Sequence, residues 1–230
     1  MSQIIPTTAD CPRCGAVCPA RLFESVNGDV LPVQVDAILD GSFERTTCSR
    51  CGAAFQPEHR MLFARHSARL WIVMYPFGSR GDFEVIERGV ADVVARNFAD
   101  APAGLADGLS GVQPRLVFGQ YALAEAVRSA RDALDPPLLE CAKLLAYQRS
   151  LSQLFSLGPT ELVYERGEAG QLVFGVRGLA DGERLGELAI TAALLGDTQP
   201  LMAGFAASHP ELFERPYISV VRYLRGTPPA

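Results

Sequence analysis

Two short motifs carry residues with metal chemistry: CPRCG at 11–15 and CSRCG at 48–52. In each, two cysteines three positions apart converge on one point, and the glycine that follows permits a left-handed turn that brings backbone N–H groups near the sulfurs. Two such knuckles supply four thiolates, so Cys11, Cys14, Cys48 and Cys51 are the predicted ligands of a tetrahedral site. Four sulfurs leave no open coordination position. The expected role is therefore structural, with one Zn2+ ion and rubredoxin-type iron as the alternative metal. A lost site and thiol redox chemistry are the competing readings of the same residues. Cys18, four residues past Cys14, could compete as a ligand only if a helix began there, and the Gly15 turn argues against that.

The other reactive side chains form no comparable pattern. His59, His66 and His209 are the only histidines, too few and too scattered for an acid–base site, and they read as surface or hairpin residues. No H-E-x-x-H, G-x-S-x-G, P-loop or G-x-G-x-x-G motif is present. Cys141 falls on an apolar helix face and reads as an inert core thiol. Arg13 and Arg50 occupy equivalent positions in the two knuckles. Offsetting the charge of a metal tetrathiolate is the favoured reading there, and contact with phosphate the other. Arg80-Gly81-Asp82 reads as a loop with Asp82 as a helix N-cap.

The elements that must position the knuckles follow from periodicity. Thirty-three residues separate Cys14 from Cys48, more than the ~15–20 of a compact zinc ribbon. Within them Val30, Val33, Ala37 and Ile38 recur at helical spacing before Gly41, so a short helix is inserted between two ribbon hairpins. After the second knuckle, MLFARHSARLWIVMYP reads as one or two strands closed by Pro76. A helix is expected over DFEVIERGVADVVARNF, with Phe83, Ile86, Val90, Val94 and Phe98 on one face. The Gly/Pro/Asp-rich stretch 99–114 reads as a loop or linker, followed by a strand RLVFG. Leu123, Val127, Ala130 and Leu134 then mark a helix, and Asp135-Pro136-Pro137 ends it and starts another that runs to Leu157. That second helix has apolar residues over a wide arc, including Leu138, Leu139, Cys141, Leu151, Leu154 and Phe155. ELVYER and QLVFGVR flank GEAG as a β-hairpin with a four-residue loop. A strand near 186–190 and helical segments around 199–207 and 211–224 complete the chain.

Taken together these segments resemble the bacterial CpXC-motif protein family. The resemblance rests on the CPxCG knuckle, ESVNGDVLP with its helix running into LDGSFERTTC, the second CxRCG and the strand pair leading to WIVMYP. PRLVFGQYALAEAVRSARDALDPPLLECAKLLAY is similar to that family's second block, so the likeness covers about 9–148. Cys11, Pro12, Cys14, Cys48 and Cys51 match its motif. Ser49 departs from it, standing where the second knuckle usually has proline, and Arg65-His66-Ser67 replaces an acidic residue. The resemblance implies an architecture and a metal but no reaction.

Composition sets the outer limits. With 48% hydrophobic and 20% charged residues and a mean hydropathy of +0.12, the 230-residue chain can bury a real core. No apolar run reaches the ~20 residues of a membrane helix. The first residues lack an export signal, which points to the cytoplasm, where cysteine pairs bind metal more often than they form disulfides. A net charge of −5 argues against a protein that coats phosphate backbones.

The expectation is thus an α+β chain. Residues 1–76 form an N-terminal zinc ribbon with an inserted helix, and 77–230 form a mixed α/β interaction region with a helical hairpin and a β-hairpin. The functional expectation is a non-enzymatic, zinc-stabilised adaptor or interaction module that binds another protein and has the option of self-association. Nucleic-acid binding through the ribbon is the alternative, weakened because seven arginines within 1–76 are matched by seven carboxylates. A site made of scattered residues is invisible in a single sequence and leaves an enzyme as the third reading.

Overall fold

The computed structural model describes residues 2–99 and 112–224. It is a mixed α/β protein in two compact units, Met1–Val127 and Arg128–Ala230. Strand β1 (Gln3–Asp10) pairs antiparallel with β2 (Val17–Asn27), and the first knuckle is the turn between them. Alternation buries Cys18 and Ala20, then changes phase to Phe23 and Val26. A bulge accounts for the three-residue step from Phe23 to Val26: Ile4 lies opposite Phe23 and Gln3 opposite Ser25, which leaves Glu24 without a cross-strand partner.

Helix α1 (Pro32–Asp40) opens with proline, whose missing N–H costs nothing in a first turn. It closes at Gly41, whose φ of 77° ends the helix in the left-handed conformation with its N–H donating to Ala37 O. The buried residues are Val35 and Ile38, whereas Val30 and Val33 are exposed. The expected face was therefore wrong at its start: the helix begins at Pro32, which places Val30 before it and turns Val33 outward.

A two-residue hairpin pair, β3 (Thr46–Thr47) with β4 (Ala54–Phe55), holds the second knuckle. Then β5 (Met61–Arg65) and β6 (Leu70–Tyr75) form two antiparallel strands, with Arg69 at φ 52° closing the turn. Helix α2 (Phe83–Ala99) follows and buries Phe83 and Val90, while the side chain of Phe98 lies outside the described residues. Most of the stretch 99–114 is likewise outside them.

Strand β7 (Gln113–Phe118) runs parallel to β6, giving a five-stranded sheet of order β1-β2-β5-β6-β7. The expected boundary at 76/77 therefore cuts through a sheet, because pairing of β6 with a strand some forty residues later draws the chain to Val127 into the first unit. Helix α3 (Gln120–Arg131) supplies Leu123, Ala126 and Val127 to a core completed by Val35 and Ile38 of α1 and by Phe23, Phe63, Ile72 and Met74 of the sheet.

In the second unit Asp135 caps helix α4 (Pro136–Arg149), accepting from the Leu138 N–H at 2.9 Å. This helix ends eight residues earlier than expected. A one-turn helix (Leu151–Leu154) and a 3-10 turn (Phe155–Leu157) follow, leaving Leu151 62% and Phe155 82% exposed where burial was expected. Strands β8 (Thr160–Glu168), β9 (Gln171–Gly178) and β10 (Arg184–Thr191) form an antiparallel sheet of order β10-β9-β8. Its first turn has two residues and not four. Ala169 and Gly170 both lie at positive φ, 47° and 76°, the twist that a two-residue hairpin requires. Leu139, Ala142 and Ala146 of α4 pack on Leu162, Tyr164, Phe174 and Leu188. The helix expected over 211–224 is broken into Glu211–Glu214 and Val221–Leu224, with Pro216 between them. No helix among the described residues is long and apolar enough to cross a membrane.

Candidate metal centre

The two knuckles are the same turn built twice. In the first, the Gly15 N–H donates to Cys11 O at 2.8 Å and the Cys11 N–H to Ala16 O at 2.9 Å; in the second, the Gly52 N–H donates to Cys48 O and the Cys48 N–H to Ala53 O, both at 2.9 Å. Gly15 and Gly52 lie at φ 68° and 69°, where a side chain would strain the turn. Arg13 and Arg50 are exposed at the two tips.

The fold brings these turns together in a crossed arrangement. Cys11 Sγ lies 3.7 Å from Cys51 Sγ, and Cys14 Sγ lies 3.6 Å from Cys48 Sγ. All four sulfurs fall within 4.8 Å of one another, with Cys11 and Cys48 buried and Cys14 and Cys51 partly exposed. Ala16, Ala53 and Phe55 pack around them and limit the access of water. Such a group could hold a metal ion.

Electrostatics favours a cation there. The backbone N–H of Cys51, then that of Arg50 against the cost of burial, draws Cys48 down to about 6. At Cys14 the Ala16 N–H pulls in the same direction, but burial and the neighbouring thiols prevail and push it up to about 12. Four thiols in contact cannot all ionise unaided. A shared metal removes the conflict by taking up the charge of each sulfur.

Cys18 is fully buried beside the cluster, yet its sulfur points to Ala16 O at 3.4 Å and is not among the four. Cys141 is wholly buried on α4, where burial pushes its thiol up to about 12. His66 sits in the exposed turn after β5, and the His209 ring lies 4.6 Å from that of Tyr223.

His59 departs from its expected surface placement. Its Nε2 lies 2.9 Å from Glu44 Oε2, and its Nδ1 lies 3.0 Å from Arg60 O. Only 1% of the Glu44 side chain is exposed, and its other oxygen accepts the Phe23 N–H at 2.5 Å. Glu44 also holds a left-handed φ of 55°, an unusual conformation for a non-glycine residue. Nothing in the string SFERTTC marks it: a glutamate and a histidine fifteen residues apart match any surface pair.

No curated protein and no solved structure matches the chain. The family model described as CpXC protein matches residues 9–143, a span that begins just before Cys11, includes both knuckles and the whole five-stranded sheet after β1, and ends within α4. That span is more than half of the sequence, and by it the chain belongs to the CpXC family.

Proposed function

We propose that the chain is a non-enzymatic protein whose N-terminal unit is a zinc ribbon with an inserted helix, folded on one structural Zn2+ held by Cys11, Cys14, Cys48 and Cys51, and that it acts as an interaction module for another protein. The observation that carries the metal reading is the spacing of the sulfurs. Zinc–sulfur bonds of about 2.3 Å in a tetrahedron place sulfurs about 3.8 Å apart, and Cys14–Cys48 and Cys11–Cys51 stand at 3.6 and 3.7 Å, with all four sulfurs within 4.8 Å of one another. When bound, the ion supplies cross-linking and charge neutralisation. With four protein ligands it has no position left for a substrate, which is why the reading is structural.

The interaction role is supported by the second unit. Phe155 and Leu151, the most exposed large apolar pair there, adjoin a groove of about 510 Å3 lined by Leu154, Pro159, Leu179 and Leu224. Apolar surface of this kind is characteristic of partner contacts. The test joins both parts. Elemental analysis of protein purified without chelator should give one zinc per chain. A partner captured from the native host by the intact protein should be lost with a Leu151→Ser, Phe155→Ser variant that keeps its zinc. Absence of metal refutes the ribbon, and capture indifferent to those two residues refutes the proposed surface.

A further inference from the structure

We propose that the face of the N-terminal sheet bearing Trp71 holds a small zwitterion with an apolar body, an α-amino acid of the leucine or phenylalanine kind, with its carboxylate on Arg60 and its ammonium on Glu24. This site is separate from the metal centre and does not rest on it. A cavity of about 500 Å3 lies there, within the ~300–1,000 Å3 of small-molecule sites. Leu62 of β5 and Val73 of β6, direct partners in the sheet, form its floor with Trp71, and Val93 of α2 forms a wall. Among the described residues, Glu24 and Arg60 are the charged ones lining it.

Their charges are opposite, and among the described residues neither side chain lies within hydrogen-bond or ion-pair distance of the other or of a third group, although the charge of Glu24 acts at longer range on His59. Arg60 instead rests its guanidinium 5.5 Å from the centre of the Tyr75 ring. A guanidinium beside an apolar floor suits a carboxylate, which it takes with two parallel hydrogen bonds. A free carboxylate at the same cavity suits an ammonium. A fatty acid would use Arg60 but leave Glu24 facing an apolar chain, and a phosphate would meet Glu24 as a like charge. An amino acid with an apolar side chain satisfies all three parts of the lining.

Two backbone features aim these charges. Glu24 is the unpaired residue of the β2 bulge, a device that redirects a side chain and concentrates beside binding sites. One buried carboxylate then braces both residues. Glu44 takes the N–H of Phe23, which precedes Glu24, and pairs with His59, which precedes Arg60 and donates through Nδ1–H to the Arg60 carbonyl. The strained φ of 55° at Glu44 is thus spent in fixing the two charged rims.

Trp71 is the sole tryptophan of the chain, so its emission reports on this cavity alone. The full-length, zinc-loaded protein would be titrated with L-phenylalanine and L-leucine, and with phenethylamine and 3-phenylpropanoate, each of which keeps one charge. Calorimetry would run in parallel. Saturable binding of both amino acids is expected, with each single-charge analogue weaker by about tenfold. Arg60→Gln should reduce phenylalanine to the affinity of phenethylamine, and Glu24→Gln to that of 3-phenylpropanoate. Both side chains are exposed, so circular dichroism should show both variants folded. No saturable emission change or heat with either amino acid overturns the proposal. So does equal binding of phenylalanine and 3-phenylpropanoate, or wild-type affinity in both variants.

Discussion

Replacing His59 with leucine isolates the contribution of the His59–Glu44 pair to the first unit. Leucine keeps much of the side-chain bulk but donates no hydrogen bond, so Glu44, only 1% exposed, loses its one histidine partner and keeps the Phe23 N–H at 2.5 Å and Gln120 Nε2 at 3.4 Å. Removing one member of a buried pair costs about 3–5 kcal/mol. Two remaining donors and the 18% exposure of His59 reduce this to about 2–4 kcal/mol, or roughly 6–15 °C in Tm.

The loss should depend on pH. Both ring nitrogens of His59 face acceptors, which requires the doubly protonated ring. Burial lowers its pKa, but the hydrogen bond and charge of Glu44, the Arg60 carbonyl and the charge of Glu24 outweigh burial and raise it. A raised folded-state pKa gives stability that is complete below the unfolded value of about 6.5 and is lost as pH climbs through the folded one. Protonation of the metal-binding cysteines at low pH acts in the opposite sense. The quantity to follow is therefore the difference in Tm between wild type and His59→Leu, measured by circular dichroism at fixed zinc from about pH 6 upward, in which the metal contribution cancels. It should be largest near pH 6 and shrink above neutrality. A difference below about 1 kcal/mol, or one that does not vary with pH, would refute the reasoning. A Glu44→Leu, His59→Leu double variant should be less destabilised than the sum of the single ones.

On the proposed zinc site, Cys48→Ser should lose the metal and unfold the surrounding hairpins, since zinc contributes about 10–16 kcal/mol in small zinc domains, whereas Cys141→Ser should retain one equivalent; elemental analysis and circular dichroism distinguish them. Gly52→Ala forces a side chain into φ 69° and should cost about 1–2 kcal/mol, with weaker zinc retention against a chelator than in wild type. Phe174→Ala empties a fully buried position under α4 and should cost about 3–5 kcal/mol in urea unfolding. The full chain should show no micromolar, salt-sensitive binding to DNA or RNA in fluorescence anisotropy at ~50 mM salt; such binding, abolished by Arg13→Ala with Arg50→Ala, would favour a nucleic-acid role.

What the sequence determined by itself was local. The knuckles were legible because a C-x-x-C-G turn is decided by five adjacent residues, chiefly by the glycine that accepts φ near 70°. The stop of α1 at Gly41 and the start of α4 at Asp135-Pro136 were legible for the same reason: a cap is satisfied within one turn of chain. Errors clustered where distant segments decide the outcome. The first unit extends to Val127 because β6 chose β7 as its neighbour, and the end of α4 came early despite an apolar pattern that continued past Arg149. Glu44, His59 and Glu24 gained meaning only when β2, the loop after α1 and the segment before β5 met. Side-chain type is written in the sequence, but the loss of water and the pairing that turn a glutamate into a brace or leave an arginine waiting at a cavity are supplied by neighbours that only the tertiary fold brings within reach.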